Sequence, residues 1–257
     1  MSQSIWTRCA GSSSVAPLAI DAWRVVESQV ALSTRKLVDS DAEQELLEDL
    51  LERVKPPVPP DSGFAHLHFL LYTPFRHPPL RRGSRFGTHM ERGLWYGSRV
   101  LPTALAEVAY YRFLFLDGTA ASLGTVTVEL SAFQAKIRAR RAVDLTVPPF
   151  AAHRGRLGSK VSYAASQQMG REMRAAGVEA FLYQSVRDPQ HGQNVGLFVP
   201  AFGRRSPTVP HTWTCTATRA RVEFSRRDVF RRERLAFERR LFEVGGTLPA
   251  PAFAPTG

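Results

Sequence analysis

Leu46, Leu47, Leu50, Leu51 and Val54 recur at helical spacing and predict a helix over 41–54. Ser40 with Glu43, or Asp41 with Gln44, is placed to form its capping box. The stretch 21–37 before it also reads as helical. The run Lys55-Pro56-Pro57-Val58-Pro59-Pro60 stops this pattern, because proline cannot continue a helix and stiffens the chain after it. Residues 1–60 are therefore expected to form a helical extension packed on a main body at 61–244.

Within the body the period changes repeatedly. Residues 66–72 and 94–96 read as strands, separated by a polar segment rich in glycine and arginine. A helix starts at Pro102, a favourable first-turn position, and runs to about Phe115, with Gly118 ending it. Residues 125–130 alternate as a half-buried strand does, and 142–146 read as another. Residues 163–176 predict a helix closed by Gly177. Strands at 180–183 and 195–199 flank a turn at 188–194. Residues 213–224 read as one further strand, 226–241 as a basic helix, and 245–257 as a mobile tail rich in proline and alanine. Strands and helices mix without a strict βαβ rhythm, which predicts an α+β fold.

Composition narrows the function classes. With 257 residues and 44% hydrophobic content, the chain can bury a sizeable core without disulfides or metals. No apolar run approaches the length of a membrane span, and 1–11 lack the pattern of a secretory signal. Cys9 and Cys215 cannot build a disulfide framework, so the reducing cytosol is the expected compartment. The formal net charge is +11, and the excess lies after residue 60, where 28 bases face 14 acids. Such a body attracts anions in general: nucleotides, RNA or an acidic partner.

Phosphate-loop, dinucleotide-loop, nucleophile-elbow and HExxH motifs are all missing. His66 and His68 would share one face of a strand, with no third ligand in view. The distinctive segment is 73–111. Arg76 and Arg85 sit in loops flanked by proline and glycine, and two guanidinium forks can clamp a diphosphate. Tyr96 comes next, and then Glu107 on an otherwise apolar helix face, where a carboxylate is costly unless paired or used. The ordinary alternatives stand beside these. Glu107 fits an ion pair with Arg76 or Arg112, and Tyr96 next to Trp95 fits a core position. The basic run at 226–241 carries acids at three- and four-residue spacing, the pattern of a solvated face rather than of a nucleic-acid reader.

The ordered set Arg85-Phe86-Gly87, Trp95-Tyr96, Thr103-Ala104-Leu105-Ala106-Glu107 and Tyr183-Gln184-Ser185-Val186-Arg187 resembles the RES domain, a family named for an Arg, a Glu and a Ser. The resemblance covers about 70–224. It implies a fold like that of the ADP-ribosyltransferases and the role of toxin in a bacterial pair with an Xre-type antitoxin. It implies NAD+ as a substrate destroyed by hydrolysis or phosphorolysis, or used to transfer ADP-ribose to a protein. No metal or redox cofactor is implied, and a homo-oligomer within the antitoxin complex is compatible with it. Residue by residue, Arg76 and Arg85 match the motif arginines, Tyr96 the motif aromatic, Glu107 the motif Glu and Ser185 the motif Ser. Glu107, Arg76 and Ser185 would be catalytic; Arg76, Arg85, Tyr96 and Ser185 would hold NAD+.

Overall fold

The computed structural model describes residues 3–28, 40, 43, 46, 50, 55–58, 62–64, 66–77, 79, 81–121, 123–227 and 232–252. Among them, eight strands form one mixed sheet: β1 (Ala16–Glu27), β2 (Trp95–Ser98), β3 (Val126–Asp144), β4 (Ala180–Gln184), β5 (Gln193–Leu197), β6 (His211–Ala217), β7 (Arg221–Arg227) and β8 (Arg232–Glu238). The helices are α1 (Ile5–Arg8), α2 (Phe69–Arg76), α3 (Leu101–Gly118), α4 (Arg154–Leu157) and α5 (Ala164–Ala175). The fold is α+β.

The strand order is β1-β2-β5-β4-β3-β6-β7-β8, and β1 also pairs with β3. The pairings therefore close β1, β2, β5, β4 and β3 into a ring, from which β6, β7 and β8 run on as an open wing. Only β3 and β4 are parallel. β3 belongs to both parts. One of its edges carries β1, from Leu18↔Ala139 to Glu27↔Leu130. The other carries β6 at residues 126–132 and β4 at 142–144. The backbone between those two partners is satisfied by other means. Thr208 and Gln134 exchange bonds, Arg138 N–H reaches the Ala201 carbonyl, and Arg140 N–H reaches the Glu179 carboxylate at 2.6 Å.

Side chains on β3 change allegiance along its length. Val126, Val128, Leu130 and Ala132 pack with α3 and the wing; Phe133, Ala135, Ile137 and Ala139 pack inside the ring with Trp95, Val195 and α2. The inward parity flips between Ala132 and Phe133. A third cluster joins α1, α5, Phe86, Phe181 and Phe198.

Several expectations are corrected. Of the helix expected over 21–37, residues 21–27 belong instead to β1, and 29–37 lie outside the described residues: Ile20, Trp23, Val25 and Val26 are strand formers, and β1 lies hydrogen-bonded along β3. Ile5 and Cys9 are likewise core, so residues 5–27 belong to the body and not to a helical extension. The helix expected over 41–54 lies mostly outside the described residues; Ser40 Oγ does accept from the Glu43 amide at 3.2 Å. The strand expected at 66–72 is replaced by α2, because His68 Nδ1 caps the Leu70 amide, and Leu70, Leu71 and Phe75 then share one buried helical face. His66 and His68 thus share no strand face. The strands expected at 125–130 and 142–146 are two ends of β3. The strand expected at 213–224 is a hairpin, turned at Thr218, whose Oγ1 accepts from the Arg221 amide. In place of the basic helix expected at 226–241 stand the end of β7, then β8 and a short 3-10 turn, with 228–231 outside the described residues: Leu235 and Phe237 alternate inward, opposite Phe224 and Val222. The tail is anchored in its described part, with Leu248 and Ala252 buried and the Tyr110 hydroxyl donating to the Pro249 carbonyl at 2.6 Å. Arg239 adds a two-pronged bond to Asp117 near the end of α3, at 2.6 and 2.7 Å.

Candidate active site

A cleft of about 290 Å³ opens between β1, β2, α3 and the loops before β2 and after β4. Its charged lining is Arg24, Arg85, Arg187 and Glu107, an excess of two positive charges. Tyr96, Tyr110, Tyr111, Tyr163 and Tyr183 supply aromatic walls.

Glu107 is presented by α3. Val100, in extended conformation, precedes the helix, Pro102 fits its first turn, and Ala104, Leu105, Ala106 and Ala109 bury it against the sheet. The Glu107 carboxylate accepts two hydrogen bonds at the same oxygen, Oε1: from Ser185 Oγ at 2.7 Å and from Asn194 Nδ2 at 2.7 Å. Among the described residues, Oε2 takes no bond. Asn194 is fixed in turn, since Ser98 Oγ donates to its Oδ1 at 2.6 Å.

Ser185 is fully buried, and its hydroxyl is fully used. It donates to Glu107 and accepts from the amides of Arg187 at 3.2 Å and Asp188 at 3.0 Å, so one proton and two lone pairs are all engaged. In this arrangement Ser185 holds Glu107 in place, and its proton and both lone pairs are taken. Asp188 pins the same turn by accepting from Thr103 Oγ1 on α3 at 2.7 Å.

Arg85 lies in the loop 83–87, which glycine lets turn: Gly83 has φ +73 and faces the Gly87 carbonyl. Helix α5 clamps this loop. Gln167 Nε2 donates to the Arg82 and Ser84 carbonyls at 2.9 and 3.0 Å, and Gly170 abuts the Phe86 carbonyl. The Arg85 guanidinium donates to the Ser159 carbonyl at 2.9 Å and lies 4.8 Å from the Tyr163 ring. Tyr96 is tied by its hydroxyl to Ser84 Oγ at 2.9 Å and to the Phe86 amide at 3.2 Å. Burial pushes its phenol up to about 12, so it stays protonated and neutral in the cleft wall.

Arg76 is not brought to this site. It ends α2, donates through Nε to the Pro56 carbonyl, and does not line the cleft. Its expected place is corrected because α2 packs its apolar face into the ring and leaves Arg76 beside the proline run. The ion pairs considered for Glu107 are also absent: Arg112 pairs with Glu27. Among the cleft residues that a reading of the sequence passes over are Arg24, Arg187 and Asn194. Arg24 is hidden by the helical pattern of the segment that forms β1. Arg187 stands in a motif of the family without a role of its own. Asn194 is expected in the turn at 188–194 and stands instead as the second residue of β5.

The family model for the RES domain matches residues 60–218. The chain belongs to the RES-domain family. No curated protein matches it. The match spans β2 to β6 and α2 to α5, including the loop of Arg85, Glu107 and Ser185. The RES domain here draws on strands beyond that span: β1 supplies Trp23, Arg24 and Val25 to the cleft, while β7 and β8 complete the wing. No described helix is long and apolar enough to cross a membrane.

Proposed function

We propose that this RES domain cleaves the nicotinamide–ribose bond of NAD+, by hydrolysis, by phosphorolysis or by transfer of ADP-ribose to a protein. The observation that carries the reading is Glu107: a carboxylate fixed through one oxygen and open at the other, in a cleft with an excess of positive charge. Bond cleavage leaves positive charge on the ribose C1′ while the bonding electron pair departs with nicotinamide, which leaves neutral. A fixed anion beside C1′ stabilises that state, and prior fixation removes the cost of reorienting it during reaction. The acceptor oxygen then bonds to C1′. When the acceptor is water, its proton passes to Glu107 or to solvent. The neutral Tyr96 and Tyr183 rings offer a stacking surface for the pyridine ring. No metal or redox group is required, since NAD+ is consumed as substrate.

Membership in the family and a ring of five strands whose β5 residue Asn194 holds the Glu107 carboxylate support an ADP-ribosyltransferase-like fold. The same reading makes the chain the toxin of a pair, restrained in the cytosol by an Xre-type antitoxin. The deciding experiment incubates purified protein with NAD+, with and without phosphate, and weighs the products. Release of nicotinamide with ADP-ribose identifies water as acceptor, and ADP-ribose 1″-phosphate identifies phosphate. A mass increase on a protein identifies transfer. Absence of nicotinamide under all these conditions sinks the reading. In cells, expression alone is expected to arrest growth and deplete NAD+, and co-expression of the antitoxin to restore both.

A further inference from the structure

Arg187 is the most enclosed cation of the cleft. It is 2% exposed, lies at the buried turn after β4 and lines the cavity. Its guanidinium lies over the Tyr110 ring, with Cζ 3.6 Å from the ring centroid. The polar contact of the head is thin. Nη2 reaches the Lys160 carbonyl at 3.5 Å, the limit for a hydrogen bond, and Nη1 is buried with no partner. A buried guanidinium with an unmet donor is costly, and an incoming anion removes that cost. The nearest acid in sequence, Asp188, is spent on Thr103 and on the amides of Gln190 and Gly192. Glu107 is held by Ser185 and Asn194, not by a guanidinium. The cleft therefore holds cationic charge that no described protein anion neutralises.

Resting on the NAD+ reading, we infer that Arg187 together with Arg85 forms the diphosphate-binding pair of this cleft, the role that Arg76 does not fill. Arg85 lies over the Tyr163 ring and already uses its own Nη1 on the Leu157 and Ser159 carbonyls. It contributes field and a fixed edge, while Arg187 contributes the unmet donor. The turn that carries Arg187 is the one whose amides hold Ser185, so the diphosphate contact and the Glu107 contact share a single support. Binding the diphosphate would thereby set the distance between C1′ and the carboxylate.

The test is calorimetric titration of the full chain with ADP-ribose, inorganic diphosphate and adenosine, using wild type, Arg187→Gln and Arg187→Lys. The Gln variant is expected to bind ADP-ribose and diphosphate about 10- to 100-fold more weakly, the range of one charge-assisted hydrogen bond, with adenosine unchanged. The Lys variant keeps the charge and the ring contact but loses the fork, so it should fall between. It also reads the site if the Gln variant fails to fold. ADP-ribose affinity unchanged in a folded variant, or adenosine weakened as much as ADP-ribose, overturns the inference. The two proposals fail separately. Arg187-dependent diphosphate binding without nicotinamide release keeps this site and removes the cleavage reading. Nicotinamide release with affinity indifferent to Arg187 does the reverse.

Discussion

Ser185 and Glu107 are joined by a 2.7 Å hydrogen bond across 78 residues of chain, and that bond takes the one proton the serine hydroxyl has to give. The carboxylate is thereby fixed by a side chain whose other contacts are two amides of its own turn. Ser185→Ala removes three hydrogen bonds at once and leaves the Arg187 and Asp188 amides without a side-chain acceptor. A loss of about 1–3 kcal/mol in stability is expected from the orphaned buried donors. Glu107 is then held by Asn194 alone and the turn that carries Arg187 loses its anchor, so kcat for nicotinamide release should fall and KM should rise with it. Denaturant unfolding and steady-state kinetics on the same preparation check both. A stability loss with kcat unchanged would make Ser185 structural only.

Glu107→Gln keeps the shape and keeps an oxygen to accept from Ser185 and Asn194. It removes the charge opposite C1′. The fold should be retained, and nicotinamide release should drop about 10²- to 10³-fold, the scale of one lost electrostatic stabiliser. Near-normal release by a folded variant would take Glu107 out of the chemistry.

The residues legible in the sequence are those whose neighbours in the chain explain them. Glu107 stands out because α3 is otherwise apolar, and α3 forms where its proline start and glycine end place it. The hairpin of β4 and β5 and helix α5 with Gly177 are local in the same sense. The illegible parts depend on partners far away. β3 reads as two strands because its inward parity flips at Ala132 and Phe133, where it passes from one core to another. β1 reads as a helix because its strand character is fixed by pairing with β3, more than a hundred residues later. β8 reads as a basic helix because its arginines mask an alternation of only two inward residues, Leu235 and Phe237. Motif position assigns Arg76 to the site, whereas the packing of α2 decides where it lies.

Gly170 faces the Phe86 carbonyl so closely that a Cβ cannot be placed without moving the loop that carries Arg85. Gly170→Ala therefore sets α5 against that loop and strains the Gln167 clamp. A stability loss of about 1–3 kcal/mol is expected for such overpacking. ADP-ribose affinity should fall with it, because Arg85 shifts. Gly118→Ala has open space around its Cβ and serves as control: its ADP-ribose affinity should match that of wild type. Equal affinity in wild type and Gly170→Ala would show that the loop does not need α5.

Tyr110 ties the cleft to the tail. Its ring carries the Arg187 guanidinium and its hydroxyl donates to the Pro249 carbonyl. Burial pushes its phenol up to about 12 from the ordinary 10.0, with Arg187 pulling the other way. The folded chain thus holds this proton more tightly than the unfolded one. For a group raised on folding, its stability contribution is complete below pH 10 and is lost as pH climbs from 10 to 12, because the unfolded phenol ionises first. Tyr110→Phe removes the titration and the bond to Pro249 together. At neutral pH wild type should be the more stable by about 0.5–1.5 kcal/mol, the net worth of one hydrogen bond. Between pH 10 and 12 that advantage should shrink. Taking the difference between the two proteins cancels the other groups that titrate in this range, so urea unfolding of both across the window isolates Tyr110. An advantage that stays constant or grows with pH would mean that the Tyr110 phenol is not held protonated by the fold.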